Sequence, residues 1–210
     1  MIAKRLSSAL LVLSVAACGG DAGTPESAAV AAVDTTVGQI EREPLTEADL
    51  VDFDMANLSV ELPWTSNRIN RNPAEGAPRA MVESSEVMSY DGFDRVVLGF
   101  GADAPFPGYS IDVVDAGVAI ACGDSEETAV GADVAGDYKM VLRLMPARVE
   151  EEGRATLALG TDAYGLTRLQ EAGAVCAEND AVTWLSGMSN ASQIRVLEFR
   201  DPSRLVVDVR

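Results

Sequence analysis

The side chains of this 210-residue sequence that could do chemistry are carboxylates, guanidiniums and three cysteines; histidine is absent altogether. That absence removes Ser/His/Asp and Cys/His nucleophilic catalysis, HExxH zinc sites and the usual proton shuttle near neutral pH. A hydrolase built from what is left would need a carboxylate pair, a serine beside Lys139, or a metal held by oxygen ligands alone. Carboxylates are plentiful, 33 Asp and Glu against 16 Lys and Arg, yet spacing singles out no pair. Asp52 and Asp54 form a DxD without the central glycine and terminal glutamate of a calcium loop, and read as a solvated acidic patch. No catalytic residue, metal site or cofactor is expected, and the chain is read as a non-enzyme.

Cys18 has a more specific setting. Lys4 and Arg5 precede a run from Leu6 to Ala17 in which only Ser7, Ser8 and Ser14 are polar, the pattern of an export signal. As a helix that run would span about 18 Å, short of the roughly 30 Å hydrocarbon core, so a permanent membrane span is not expected. Val15-Ala16-Ala17-Cys18 resembles the bacterial lipobox, which implies acylation of the Cys18 thiol and cleavage just before it; an ordinary secretory signal with an incidental cysteine is the alternative. Several acyl chains, each contributing about 0.8 kcal/mol per buried CH₂, would hold the chain to a membrane. Gly19 lacks the aspartate that commonly retains lipoproteins in the inner of two membranes, which favours the outer one where two exist. In an exported chain Cys122 and Cys176 are expected to pair as a structural disulfide. Two free buried thiols remain an alternative, as does a redox pair, although no CxxC or neighbouring cation marks either thiol as activated.

The net charge of −17 excludes nucleic-acid binding through phosphate neutralisation, which needs a basic face. Organisation along the chain follows composition. Residues 1–17 are the signal, and residues 18–80 read as an acidic flexible tether, small and polar up to about Leu45 and rich in Pro, Asn and Gly over 67–80. Thr46-Glu47-Ala48-Asp49 suits the start of a short helix near 46–56. Beyond it, residues 81–210 form the folded domain.

The elements that would position any site are strands. Short β-branched and apolar runs separated by Gly, Pro, Asp and Asn predict strands over 93–100, 109–114, 118–122, 138–145, 182–185, 194–199 and 205–209, with a weaker one over 82–90. Tyr138, Met140, Leu142 and Leu144 alternate with Lys139 and Arg143, as in a strand with one wet face. Leu205, Val207 and Val209 alternate in the same way with Arg204, Asp208 and Arg210, while Val206 is apolar on that second face. This predicts an all-β, antiparallel two-sheet β-sandwich, for which about 130 residues supply an ample core. Residues 166–176 read equally as a short helix or a strand.

Gly92-Phe93-Asp94-Arg95-Val96-Val97, Pro107-Gly108-Tyr109, Pro146-Ala147, Val182-Thr183-Trp184 and the closing Asp201-Pro202-Ser203-Arg204-Leu205-Val206-Val207-Asp208-Val209 together resemble the AMIN-like domain of bacterial lipoproteins and secreted proteins. The resemblance covers about residues 81–210 and is carried by the ordered set. It implies a strand at 167–176, and it strengthens the Cys122–Cys176 pairing, since relatives place cysteines at matching points. A histidine often precedes the Asp-Gly-Phe of relatives; Tyr90 stands there here. The related AMIN domain is a β-sandwich that targets cell-wall amidases and secretins to peptidoglycan or to a place in the envelope. What this implies is a membrane-anchored, extracytoplasmic, non-catalytic binding or localisation module for peptidoglycan, or alternatively for an envelope protein. Arg95, Arg204 and Asp208 are candidates either for a ligand site or for cross-strand ion pairs that fix register. Trp184 and Tyr109 are candidates for stacking on sugar rings or for the core.

Overall fold

A computed structural model describes residues 57–101, 106–122 and 133–210. Cys18, the signal segment and the short helix expected near 46–56 lie outside these residues. The described chain is all-β, without an α-helix: β1 (Leu58–Thr65), β2 (Ile69–Arg71), β3 (Ala80–Tyr90), β4 (Phe93–Phe100), β5 (Gly108–Asp115), β6 (Tyr138–Met145), β7 (Ala147–Arg148), β8 (Glu150–Glu151), β9 (Arg154–Ala155), β10 (Asp162–Ala163), β11 (Leu169–Glu178), β12 (Ala181–Met188), β13 (Ile194–Arg200) and β14 (Ser203–Val209).

Two six-stranded sheets carry the architecture, one ordered β1-β13-β14-β4-β3-β7 and the other β10-β11-β12-β6-β5-β2, with β8 and β9 as a separate hairpin. Pairing is antiparallel except for the short β3–β7 contact. Period-two alternation explains how the sheets meet. Val96 and Leu98 of β4, Val196 of β13 and Leu205, Val207 and Val209 of β14 face Ile111 of β5, Met140, Leu142 and Leu144 of β6 and Trp184 of β12 across one core. Asp94 adds a polar clasp between the layers. Its buried carboxylate accepts from Ser89 Oγ at 2.6 Å and from the backbone N–H groups of Arg168 at 2.6 Å and Leu169 at 2.9 Å.

Three sequence expectations change. Residues 58–71, placed in the tether, instead supply an edge strand to each sheet: β1 pairs with β13 and β2 with β5. The alternation of Leu58, Val60, Leu62 and Trp64 with Ser59, Glu61, Pro63 and Thr65 is a strand signal. Register shifts on either side of Val60–Leu62 let Leu62 reach the inner core while Leu58 joins an outer cluster.

Residues 118–122 form no strand. Both edges of β6 are already filled by β5 and β12, so the segment crosses the outer face of that sheet instead. Two of its carbonyls are satisfied by side chains: Lys139 Nζ donates to the Val118 carbonyl at 3.1 Å and Arg143 Nη2 to that of Ala121 at 3.0 Å. The expected wet face of β6 is therefore covered. Ile120, Cys122 and Val134 pack on Val141, Val175 and Leu185, and Lys139 is only 2% exposed. Cys122 and Cys176 form a disulfide with a Cα–Cα distance of 5.7 Å, which ties this crossing segment to β11.

The stretch that read equally as helix or strand is β11. Leu169, Ala172 and Ala174 enter the main core, and a register irregularity between Ala174 and Cys176 lets Val175 and Cys176 serve the outer cluster.

Candidate functional site

On the outer face of the first sheet, β4, β14 and β13 lie side by side, and their register brings Asp208 opposite Arg95 on one neighbour and Arg195 on the other. Arg95 donates from Nε to Oδ1 at 2.6 Å and from Nη2 to Oδ2 at 3.0 Å. Arg195 donates to Oδ2 from Nε at 2.9 Å and from Nη2 at 2.5 Å. One fully buried carboxylate thus orients two guanidiniums. Arg95 is 3% exposed and Asp208 0%, whereas Arg195 keeps 22% of its side chain exposed.

Aromatic rings fill the spaces between the cations. The Arg95 guanidinium lies 4.9 Å from the Tyr90 ring centre and 5.3 Å from that of Phe93, and those rings stack at 5.0 Å. Arg195 lies 5.4 Å from Phe93 and 5.0 Å from Trp64, and Arg210 lies 4.3 Å from Trp64. The result is a ladder running Tyr90, Arg95, Phe93, Arg195, Trp64, Arg210. Contacts of this kind are worth roughly 0.5–1 kcal/mol when exposed and about 2 or more when desolvated, so its inner rungs are the stronger. Tyr90, Phe93 and Arg95 are buried, Trp64 is half-buried and Arg210 is exposed. The ladder therefore opens to solvent at its Trp64–Arg210 end.

That end has uncommitted donors. Arg210 uses Nε on Gln193 Oε1 at 3.0 Å, and its terminal nitrogens make no hydrogen bond to the described residues. Arg195 Nη1 has only a distant contact, 3.9 Å, with the exposed Glu61. Guanidinium forks match carboxylates, and an indole offers a flat apolar face beside them. The arrangement can bind a small anion with an apolar flank.

The sequence-predicted candidates separate. Arg95 and Asp208 meet as described, while Arg204 projects at the far end of β14 with its guanidinium 5.4 Å from the Phe199 ring. Trp184 and Tyr109 are core residues with no ring face open to a sugar, which corrects the stacking role weighed for them. The Trp184 indole donates to Ser186 Oγ at 2.9 Å. Tyr109 donates to Glu198 Oε1 at 2.8 Å, and Arg71 pairs with the same carboxylate at 2.9 Å. Burial drives the Tyr109 phenol far above its usual pKa, and the bond to Glu198 adds to the rise. The residues missed in the sequence are Arg195, Trp64 and Arg210. Arg195 was hidden because its pairing with Asp208 is a matter of register.

A cleft of about 510 Å³ beside β8 and β9 is lined by Arg79, Arg148, Glu151, Leu157 and Asp180. Its charges are closed on one another through Arg79–Asp180 at 2.8 Å and Arg148–Glu151.

Comparison with known proteins adds one match: the family model of the AMIN-like domain aligns with residues 82–210. No curated protein and no solved structure matches the chain.

Proposed function

Because this chain belongs to the AMIN-like domain family, we propose that it is a bacterial envelope lipoprotein, held to a membrane through acylated Cys18, whose sandwich binds peptidoglycan and does not catalyse. Residues 1–17 are its removable signal, and the segment from Cys18 to about residue 56 is the tether. Where the host has two membranes the anchor is in the outer one. The observation that carries the reading is the open end of the ladder: guanidinium donors of Arg195 and Arg210 over the Trp64 ring, on a strongly acidic chain. Such a chain gains nothing from diffuse attraction to the carboxylates of the wall, so affinity must come from a built site of this sort.

Co-sedimentation with purified, protein-free sacculi at moderate salt tests the proposal. Residues 18–210 carrying Cys18→Ser, so that no lipid is added, are expected to pellet saturably. A folded, oxidised chain that stays in the supernatant at every wall concentration would end the wall-binding reading and direct the search to an envelope protein partner.

A further inference from the structure

We infer that the Trp64–Arg195–Arg210 end of the ladder is a carboxylate-binding site, that Glu61 occupies its approach as an internal competitor, and that the ligand group is a free carboxylate of a wall peptide stem. The last clause rests on the wall-binding reading; the first two do not.

Two guanidiniums are held in place before any ligand arrives. Arg195 is fixed through Nε and Nη2 on buried Asp208, which leaves Nη1 pointing away from that carboxylate. Arg210, exposed, is restrained by one hydrogen bond from Nε to Gln193 Oε1 and by its place over the Trp64 ring. Pre-oriented donors lose little conformational freedom on binding, and this is the usual source of affinity in a small site. Between them the Trp64 ring lies within 5.0 Å of one cation and 4.3 Å of the other, a floor for the methyl or methylene groups beside a carboxylate.

The chemistry of the ligand follows from charge. Arg195 Nη1 and the terminal nitrogens of Arg210 stand as guanidinium donors beside exposed Glu61, within a chain of net charge −17. Polyanions are repelled by the rest of the molecule, whereas a single carboxylate meets a local attraction. Glu61 already shows the geometry in weak form. Its Oε1 stands 3.9 Å from Arg195 Nη1, too far for a hydrogen bond, and its side chain is 52% exposed. A ligand carboxylate that closed this gap would displace Glu61.

The site also has a specific origin in the chain. Trp64 and Glu61 belong to β1, which precedes the family-matched residues 82–210. The inner rungs of the ladder are part of the matched domain, and its binding end is completed from outside it.

The test uses residues 18–210 with Cys18→Ser and soluble disaccharide–peptide fragments released from sacculi by a muramidase, either native or with their carboxylates amidated. Trp64 fluorescence reports occupancy and Trp64→Phe assigns the signal. Amidation of the fragments and Arg210→Gln are each expected to weaken binding about tenfold, the loss of a charge-assisted hydrogen bond. Glu61→Gln is expected to tighten it about threefold by removing the competitor; a residue that merely supported the fold would not move affinity upward when replaced. Equal binding of native and amidated fragments overturns the site. If Arg210→Gln and Glu61→Gln both pellet with sacculi as the unsubstituted chain does, the site is refuted while the wall-binding reading stands. A chain that binds native fragments through Trp64 but fails to pellet with sacculi keeps the site and loses the wall. Failure of both ends both.

Discussion

Replacing Asp208 with asparagine is the most demanding test of the ladder as a structural unit. The wild-type carboxylate accepts from two guanidiniums at four donor–acceptor distances between 2.5 and 3.0 Å. The asparagine carbonyl retains part of this, but its NH₂ group faces guanidinium donors with nothing to offer them. Removing one partner of a buried pair costs roughly 3–5 kcal/mol, because a charge is left buried without compensation. The lower end applies here, since Arg195 is 22% exposed and recovers water, whereas Arg95 at 3% does not. Asp208→Asn should therefore lose about 3 kcal/mol. With a denaturant slope near 2 kcal/mol per molar urea, the midpoint falls by about 1.5 M at unchanged slope. Urea unfolding followed by circular dichroism under non-reducing conditions measures it. A midpoint shift below about 0.5 M would refute the claim that this carboxylate organises the face, because only a solvent-screened pair is worth so little.

The remaining predictions concern the opposite sheet and the core. Cys122→Ser should destabilise by about 4 kcal/mol, the chain-entropy value for cross-linking positions 54 residues apart; reductant should lower the unsubstituted chain's unfolding free energy by the same amount and leave the variant's unchanged. For Tyr109, a folded-state pKa raised above the unfolded value of 10.0 means stability that is fully present below pH 10 and lost as pH rises beyond it. Each pH unit above that value costs about 1.4 kcal/mol per such group. Tyr109→Phe should cost about 1 kcal/mol at neutral pH, the net worth of its bond to Glu198, and flatten the alkaline loss measured by urea unfolding between pH 9 and 11.

How much of this was legible in the sequence depends on what each feature requires. The alternations in β6 and β14 give the strands directly, because a two-residue period has one physical cause, although the face of β6 that reads as wet is covered by the crossing segment. The β1 alternation was equally visible, but Pro63 and the Asn- and Pro-rich residues that follow argue for loop, and a three-residue edge strand such as β2 has too few positions to show a period. Residues 118–122 carry a genuine strand composition; what they lack is a free sheet edge, and the number of edges is a property of the whole topology. Arg95 and Asp208 could be singled out from the family resemblance, yet Arg195 could not. Its role follows from the β13–β14 register, which is set by core packing spread over many residues. Trp64 and Trp184 illustrate the same limit: the indole closer to a recognisable motif is buried, and the one before the matched domain lines the ladder.

The two strands that precede the family-matched residues have a further consequence. β1 covers the outer edge of β13 and β2 covers that of β5. A fragment begun at residue 82 would present a seven-residue strand, Ile194–Arg200, with one row of its backbone N–H and C=O groups unpaired. Exposed, regular edges of that length are templates for pairing with another chain. Glu61 and Pro63, together with the two register irregularities of β1, give the intact chain an edge that is charged, interrupted and bent. An edge of that kind is a poor template for strand pairing with a second copy, a protection that the shorter fragment would lack.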